Sequence, residues 1–157
     1  MALTGRASDA TEMLTSGITA WRTTGATIWM TYYLPLLARA HAELWRCIGE
    51  AMTAAETTKE KWCEAEIHRT AGEIALMSPA TDTAKAQTHF VRALAVARDQ
   101  KAKSWELRAS MSMARLWRDQ GKRDEARELL APVYGWFTEG FDTLDLKQAK
   151  ALLDELG

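Results

Sequence analysis

The feature that most constrains the fold is a pattern of small and large apolar residues that recurs about every forty positions. The two clearest copies lie 40 residues apart and consist of Ala86, Phe90 and Ala93, and of Ala126, Leu130 and Val133. Spacings of four and three put each set on one face of a helix. The small residues let a neighbouring helix approach and the large residue fills the gap. Such a period predicts stacked helix pairs, because one pair cannot bury its own apolar face.

The composition between these copies indicates helices throughout. Only three prolines and nine glycines interrupt long stretches of helix-forming residues. No alternating run of β-branched residues bounded by turn residues predicts a strand. The fold class is therefore predicted to be all-α, with seven tryptophans mainly filling gaps between helices. The pattern predicts helices at about 8–23, 27–44, 45–55, 58–77, 84–100, 103–120, 123–138 and 144–156.

These helices group into one domain that covers residues 1–157. We divide it into a half repeat at 1–24, repeats at 25–56, 57–101 and 102–140, and a capping helix at 141–157. The last helix carries a single apolar stripe, as expected for a helix that covers the end of a repeat stack. That stripe consists of Leu146, Ala149, Leu153 and Leu156. The first helix has no partner, so either the chain was cut from a longer array or this open end pairs with another copy.

One departure from the repeat pattern falls at Leu44. The pattern requires a turn glycine and several polar residues before Trp45, yet Trp45 follows Leu44 directly. Either the first two helices of this repeat are fused, or turn residues are missing from the sequence.

The later repeats resemble tetratricopeptide repeats. The matching residues of the best copy are Ala114, Trp117, Gly121, Ala126, Leu130 and Val133, and those of the second are Gly72, Ala75, Ala86, Phe90 and Ala93. The step of 40 to 42 residues exceeds the usual 34. From Gly72 to Phe141 the chain also resembles the C-terminal repeat region of bacterial signalling proteins that join an adenylate/guanylate cyclase domain, an ATPase and a helical tail. The resemblance implies a right-handed solenoid that acts in protein interaction or regulation, without the cyclase or ATPase activity.

The resemblance also implies a binding face, because the first helix of each such repeat lines the concave surface. The residues at the inward slots are Tyr32, Arg39, Glu66, Arg69, Glu73, Arg108, Met111, Arg115 and Arg118. Three arginines beside a methionine suit an acidic peptide or carboxylate, since guanidinium groups form charge-assisted forks. The alternative is a hydrated face in which Arg69 pairs with Glu66 and Glu73 within its own helix.

Charge and motifs exclude several function classes. With 20 basic and 21 acidic side chains, the chain offers no bulk attraction for nucleic acid or an anionic membrane. It has no apolar run of roughly 18 residues and no signal peptide at Met1 to Gly5. Cys47 and Cys63 form no CxxC pair, so a reducing cytoplasm is the expected setting.

No catalytic, cofactor or metal site is predicted. The glycines are isolated, no nucleophile elbow occurs, and His41, His68 and His89 lack metal-binding spacing. The expected function is therefore a non-catalytic module that binds a protein or peptide, with an acidic one as a candidate. The alternatives are a small-molecule-sensing domain of the kind found in transcriptional regulators, and a homodimerisation module that pairs through the open N-terminal end.

Overall fold

The computed structural model describes residues 30–59, 61–77 and 81–157, with side chains from residue 40 onward. These residues form helices and no strand, which confirms the predicted all-α class for this part of the chain. The helices are α1 (Met30–Thr58), α2 (Glu64–Met77), α3 (Thr83–Asp99), α4 (Lys103–Asp119), α5 (Arg123–Tyr134) and α6 (Leu144–Leu156). The predicted half repeat at 1–24 lies outside the described residues.

Helix α1 joins two segments that the sequence pattern separates. It runs unbroken through Leu44 and Trp45 for 29 residues, so the prediction of two helices at 27–44 and 45–55 is wrong and the fused alternative holds. The physical reason is local, because no glycine or proline stands between Pro35 and Gly49. Just beyond the end of α1, Lys59 adopts a left-handed backbone with φ 62°.

The helices pack in two rows. Helices α2, α4 and α6 contact one another in that order and form the first row. Helix α3 packs against α2 and α4, and α5 packs against α4 and α6, so these two form the second row. Helix α1 lies against α2. The rows reproduce the predicted alternation of two helix types along the chain.

The recurring apolar sets lie in the core between the rows. Phe90 is fully buried in a cluster that joins α2, α3 and α4, and Leu130 is fully buried in a second cluster that joins α4, α5 and α6. All the small residues that flank them are buried as well. The two repeat copies therefore occupy corresponding places in successive layers of the stack.

Gly72 allows the close crossing of α2 and α3. A Cβ atom at this position would lie 2.7 Å from Cδ1 of Phe90, whose ring is fully buried and has no room to move. A methyl group here would force the two helices apart. This contact explains why a residue of low helix propensity stands in the interior of α2.

Helix α5 ends earlier than predicted. It stops at Tyr134 rather than near 138, because Pro132 removes a backbone donor from the last turn and Gly135 follows at the cap. The connection to α6 is held by backbone hydrogen bonds from Phe137 N to the Tyr134 carbonyl (3.1 Å) and from Thr143 N to the Gly140 carbonyl (2.9 Å). The residues between Tyr134 and α6 therefore form a folded segment of their own.

Candidate functional site

Predicted binding residues of α2 and α4 lie together on the first row. The Arg108 guanidinium bonds the Glu66 carboxylate at 3.2 Å, and the Ser112 hydroxyl donates to Glu73 at 2.7 Å. Arg69 also reaches Ser112, at 3.4 Å. We call the charged surface along the first row the ionic face; its residues are Glu66, Arg69, Glu73, Arg108, Ser112, Arg115, Arg118, Asp145 and Glu155. Tyr32 and Arg39 belong to α1, but their side chains lie outside the described part of the structure.

Arg69 is bound by its own helix, as the alternative interpretation of this face proposed. Its guanidinium makes two 2.8 Å bonds to Glu66 and one of 2.7 Å to Glu73, and its side chain is 20% exposed. Burial by itself lowers the pKa of Arg69, but the hydrogen bonds and charges of the two glutamates outweigh it and raise that pKa. Arg69 therefore remains charged, and both carboxylates around it are occupied.

Two predicted arginines of α4 hold α6 in place. Arg108 Nε bonds Asp145 at 2.9 Å, and Arg118 bonds Glu155 at 2.6 Å. The hydrogen bond to Asp119, with a further contribution from Glu155, raises the pKa of Arg118. The arginine stripe that the sequence places on an accessible face is thus covered in part by the chain's own last helix.

Met111 lies beneath α6 and not on an accessible face. It is 3% exposed and belongs to the core cluster that contains Leu146, Ala149 and Leu152. The apolar stripe of α6 is removed from water only when it packs against another apolar surface, and α4 provides that surface. A binding partner has no access to Met111 in this arrangement.

Arg115 differs from the other arginines of the ionic face. Its side chain is half-buried, and it makes no hydrogen bond or ion pair with any residue that the structure describes. It lies one helical turn before Arg118 on α4. Its guanidinium is consequently the one in this face that is available for an added carboxylate.

A second surface was not predicted from the sequence. Three of the exposed large apolar residues lie on or next to the connection between α5 and α6: Trp136 is 58%, Phe141 48% and Leu144 69% exposed. Tyr134 and Phe141 pack edge to face at 5.9 Å between ring centres. We call the adjoining depression of about 450 Å³ the end groove; its lining is Tyr134, Phe141, Leu146, Lys147, Lys150, Ala151 and Asp154.

The sequence does contain a signal for this surface. Aromatic residues cluster between and beside Gly135 and Gly140, just after a proline-containing turn, where a helix does not continue. Interpreting Trp136 as filler between helices concealed it. Large apolar side chains concentrated on one part of a surface are typical of interaction sites.

The end groove is basic at one edge. The Lys147 side chain makes no hydrogen bond or ion pair with the described residues. Lys150 bonds Asp154 at 2.7 Å, and that hydrogen bond raises the pKa of Lys150. Both members of this pair are about two thirds exposed, so the pair contributes little to stability and exchanges readily for another partner.

Two histidines meet between α2 and α3. Nδ1 of His68 lies 3.3 Å from Nδ1 of His89, and the His89 ring lies 5.9 Å from that of Trp45. Burial is the largest cause that lowers the pKa of each histidine, and nearby positive groups lower both further. In the described ranges no group of three or more histidine, cysteine, aspartate or glutamate side chains is placed to hold a metal ion.

Comparisons with protein-family models, curated proteins and solved structures give no match for this chain. The resemblance to tetratricopeptide repeats and to cyclase–ATPase signalling proteins therefore stays a prediction. Among the helices that the structure describes, none is long and apolar enough to cross a membrane. The function has to be argued from the geometry of the ionic face and the end groove.

Proposed function

We propose that this chain is a non-catalytic, tetratricopeptide-like module that binds an acidic protein segment on the ionic face. In this proposal the two rows continue as a right-handed solenoid whose first row lines the concave side. The observation that carries the proposal is Arg115, a half-buried guanidinium without a partner in the described residues. The family resemblance adds the proposal that the module is the regulatory tail of a bacterial signalling protein in the cytoplasm.

The arrangement favours binding for two physical reasons. Helix packing holds the α4 backbone in place, so binding at Arg115 has to order its side chain but not its backbone. Arg118 lies one turn away, and its present partner Glu155 is 58% exposed. A partner carboxylate bound between these two arginines displaces Glu155 at small cost and gains a charge-assisted fork.

The experiment isolates Arg115 from the residues that hold α6. Arg108 and Arg118 also bond Asp145 and Glu155 of α6, so replacing either would change an internal contact together with the proposed binding face. We compare capture by the wild-type chain, Arg115→Gln and Arg127→Gln from a lysate of the organism that encodes the chain, quantified by mass spectrometry. Arg127 is an exposed arginine of α5 with no ion pair among the described residues and serves as the matched control.

We expect proteins captured by the wild type and by Arg127→Gln to fall about tenfold with Arg115→Gln, the scale of one lost charge-assisted hydrogen bond. Far-UV circular dichroism should be the same for all three chains. Equal recovery with Arg115→Gln would contradict the proposed binding face.

A further inference from the structure

In the first row, one side of each helix contacts the helix that follows it, and we call this the receiving side. Helix α6 has a corresponding side. Glu66 of α2 receives α4 through Arg108, and Arg108 of α4 receives α6 through Asp145. Arg108 lies 42 residues after Glu66, and Lys147 lies 39 residues after Arg108. Lys147 therefore occupies, on the last helix of the row, the position that contacts the next helix on the two earlier ones.

The burial pattern supports matching residues of α4 with residues of α6 that lie 39 positions later. The pairs that match are Leu107 with Leu146, Ser110 with Ala149, and Met113 with Leu152, and all six residues are buried. Several other pairs differ, because Ala109, Ser112 and Leu116 are buried while their counterparts Gln148, Ala151 and Glu155 are exposed. Among the pairs that differ, Met111 is buried beneath α6, whereas Lys150, its counterpart, is exposed. The difference is the one expected when α6 covers α4 and no described helix covers α6.

The side of α6 that no described helix covers has an apolar surface. It contributes to the end groove, whose apolar lining includes Leu146, Ala151 and the edge-to-face pair of Tyr134 and Phe141. Apolar side chains delivered into this groove would leave water together with those of the protein.

Charge complementarity indicates what the groove accepts. At each earlier step of the row the receiving residue has the opposite charge to its partner: acidic Glu66 takes Arg108, and basic Arg108 takes Asp145. The receiving residue of α6 is Lys147, a cation without an ion-pair partner among the described residues. Lys150 beside it is paired only with exposed Asp154.

We propose that the end groove is the docking site for an acidic amphipathic helix of a protein partner. In this proposal the partner helix packs beside α6 as the next helix of the first row, with a carboxylate at Lys147 and an apolar side chain against Tyr134 and Phe141. This surface is separate from the ionic face: on α6, Asp145 and Glu155 contact α4, while Lys147, Lys150 and Asp154 follow one another at the spacing of a different helix face. The inference does not depend on binding at Arg115.

The test uses two synthetic helical peptides of sixteen alanine-based residues, with a leucine and phenylalanine stripe. In the first peptide every charged residue is glutamate, and in the second every glutamate is replaced by lysine. Each is titrated into the ¹⁵N-labelled full chain, with binding followed by amide chemical shifts. We expect only the glutamate peptide to bind, with the largest shifts around Phe141, Lys147 and Lys150.

Variants locate the interaction. Lys147→Glu should weaken binding of the glutamate peptide at least about tenfold, because it replaces an attraction by a repulsion. Lys122→Glu, a charge reversal at an exposed lysine before α5, is the matched control and should leave the affinity unchanged. Phe141→Ala should weaken binding of the glutamate peptide and reduce the amide shifts at the groove residues, without changing the helicity of the chain.

Three outcomes would overturn the inference. One is equal binding of the two peptides, and another is a set of shifts that avoids the groove. The third is a concentration-dependent dimer of the chain alone, measured by sedimentation, that Lys147→Glu abolishes; it would assign the groove to a second copy. Amide shifts near Arg115 that Arg115→Gln removes report binding at the ionic face, whereas shifts near Phe141, Lys147 and Lys150 that Lys147→Glu removes report binding in the end groove. Failure of this inference and failure of the proposed function are therefore distinguishable.

Discussion

Glu106 illustrates at the residue scale how the chain places charge inside its structure. Its side chain is 7% exposed and accepts hydrogen bonds from Arg98 at 2.9 Å and Lys103 at 2.7 Å. Burial alone raises the pKa of Glu106, but the bonds and charges of Lys103 and Arg98 outweigh it and lower that pKa. Glu66 is shared in the same way between Arg69 and Arg108. Arg115 and Lys147 differ from these residues, because their side chains have no ion-pair partner in the part of the chain that the structure describes, and we propose both for partner binding.

The histidine pair gives the protein a pH-dependent contact, and lowering the pH from 7.5 to 5 should reduce its melting temperature. His68 and His89 both have a lowered folded-state pKa, caused first by burial, and then for His68 by His89 and Arg92 and for His89 by Lys85. Glu64 opposes the shift at His68 only in part. Because the unfolded chain binds protons more readily, this stability is present above a pH of about 6.5 and is lost as the pH falls through the folded pKa values.

Melting curves by circular dichroism between pH 5 and 8 measure the effect. Keeping the pH above 5 excludes most carboxylate titration, including that of Glu106. His68→Gln should flatten the dependence in this range, since it removes one of the two imidazoles. A melting temperature that stays constant or rises on acidification would show that the pair does not control stability.

At the scale of helices, sequence pattern and structure agree where apolar periodicity and local capping agree. The start of α3 is fixed by Asp82, whose side chain accepts from Lys85 N at 2.9 Å, and the end of α4 by Gly121 with φ 79°. The pattern fails at Leu44, because the repeat predicts a turn while the local residues favour a helix. It also fails after Tyr134, where Pro132 and Gly135 override the apolar periodicity.

The crossing of α2 and α3 depends on Gly72, and Gly72→Ala should destabilise the protein by about 1–3 kcal/mol. The added methyl group overlaps the buried Phe90 ring, and overpacking of a close-packed core has this cost. Gly49→Ala is the matched control, because a Cβ there meets nothing within 4 Å. It should stabilise the protein by up to about 1 kcal/mol through helix propensity. Urea unfolding of both variants measures the difference, and equal effects of the same sign would contradict the crossing argument.

At the scale of the whole molecule, the two rows form a stack in which each helix contacts only its near neighbours. Helix α4 is central, since it contacts α2, α3, α5 and α6. Helical spacing alone puts Glu66 and Arg69 on one face of α2, because it is a local property, and the structure brings Arg108 of α4 against Glu66. The sequence does not reveal that Asp145 and Glu155 occupy the arginines of that face, because this depends on where α6 packs, 37 residues further along the chain.

This arrangement predicts a gradient of local stability along the stack. Helix α1 is attached through α2 and through Trp45, which contacts His89, whereas α4 packs against four other helices. Hydrogen exchange followed by mass spectrometry should therefore show faster exchange for residues 40–58 than for α4.

Ile48→Ala sharpens this prediction, because Ile48 is 8% exposed and packs with Ala71 and Ile74 of α2. The substitution should cost about 2–4 kcal/mol of local stability and accelerate exchange in α1 with little change in α4. Equal acceleration in both helices would indicate that the described residues unfold as one cooperative unit.

The continuity of α1 also has a mechanical consequence. At about 1.5 Å per residue its 29 residues span roughly 43 Å, without the hinge that a turn at Leu44 would have provided. No glycine or proline interrupts the helix between Pro35 and Gly49, so we expect a displacement at Leu36 to be transmitted to Trp45 and Ile48 as the motion of one stiff arm. Ile48 packs against α2 and Trp45 contacts His89 of α3, so a force applied to the first half of α1 acts on the contacts that join α1 to these two helices.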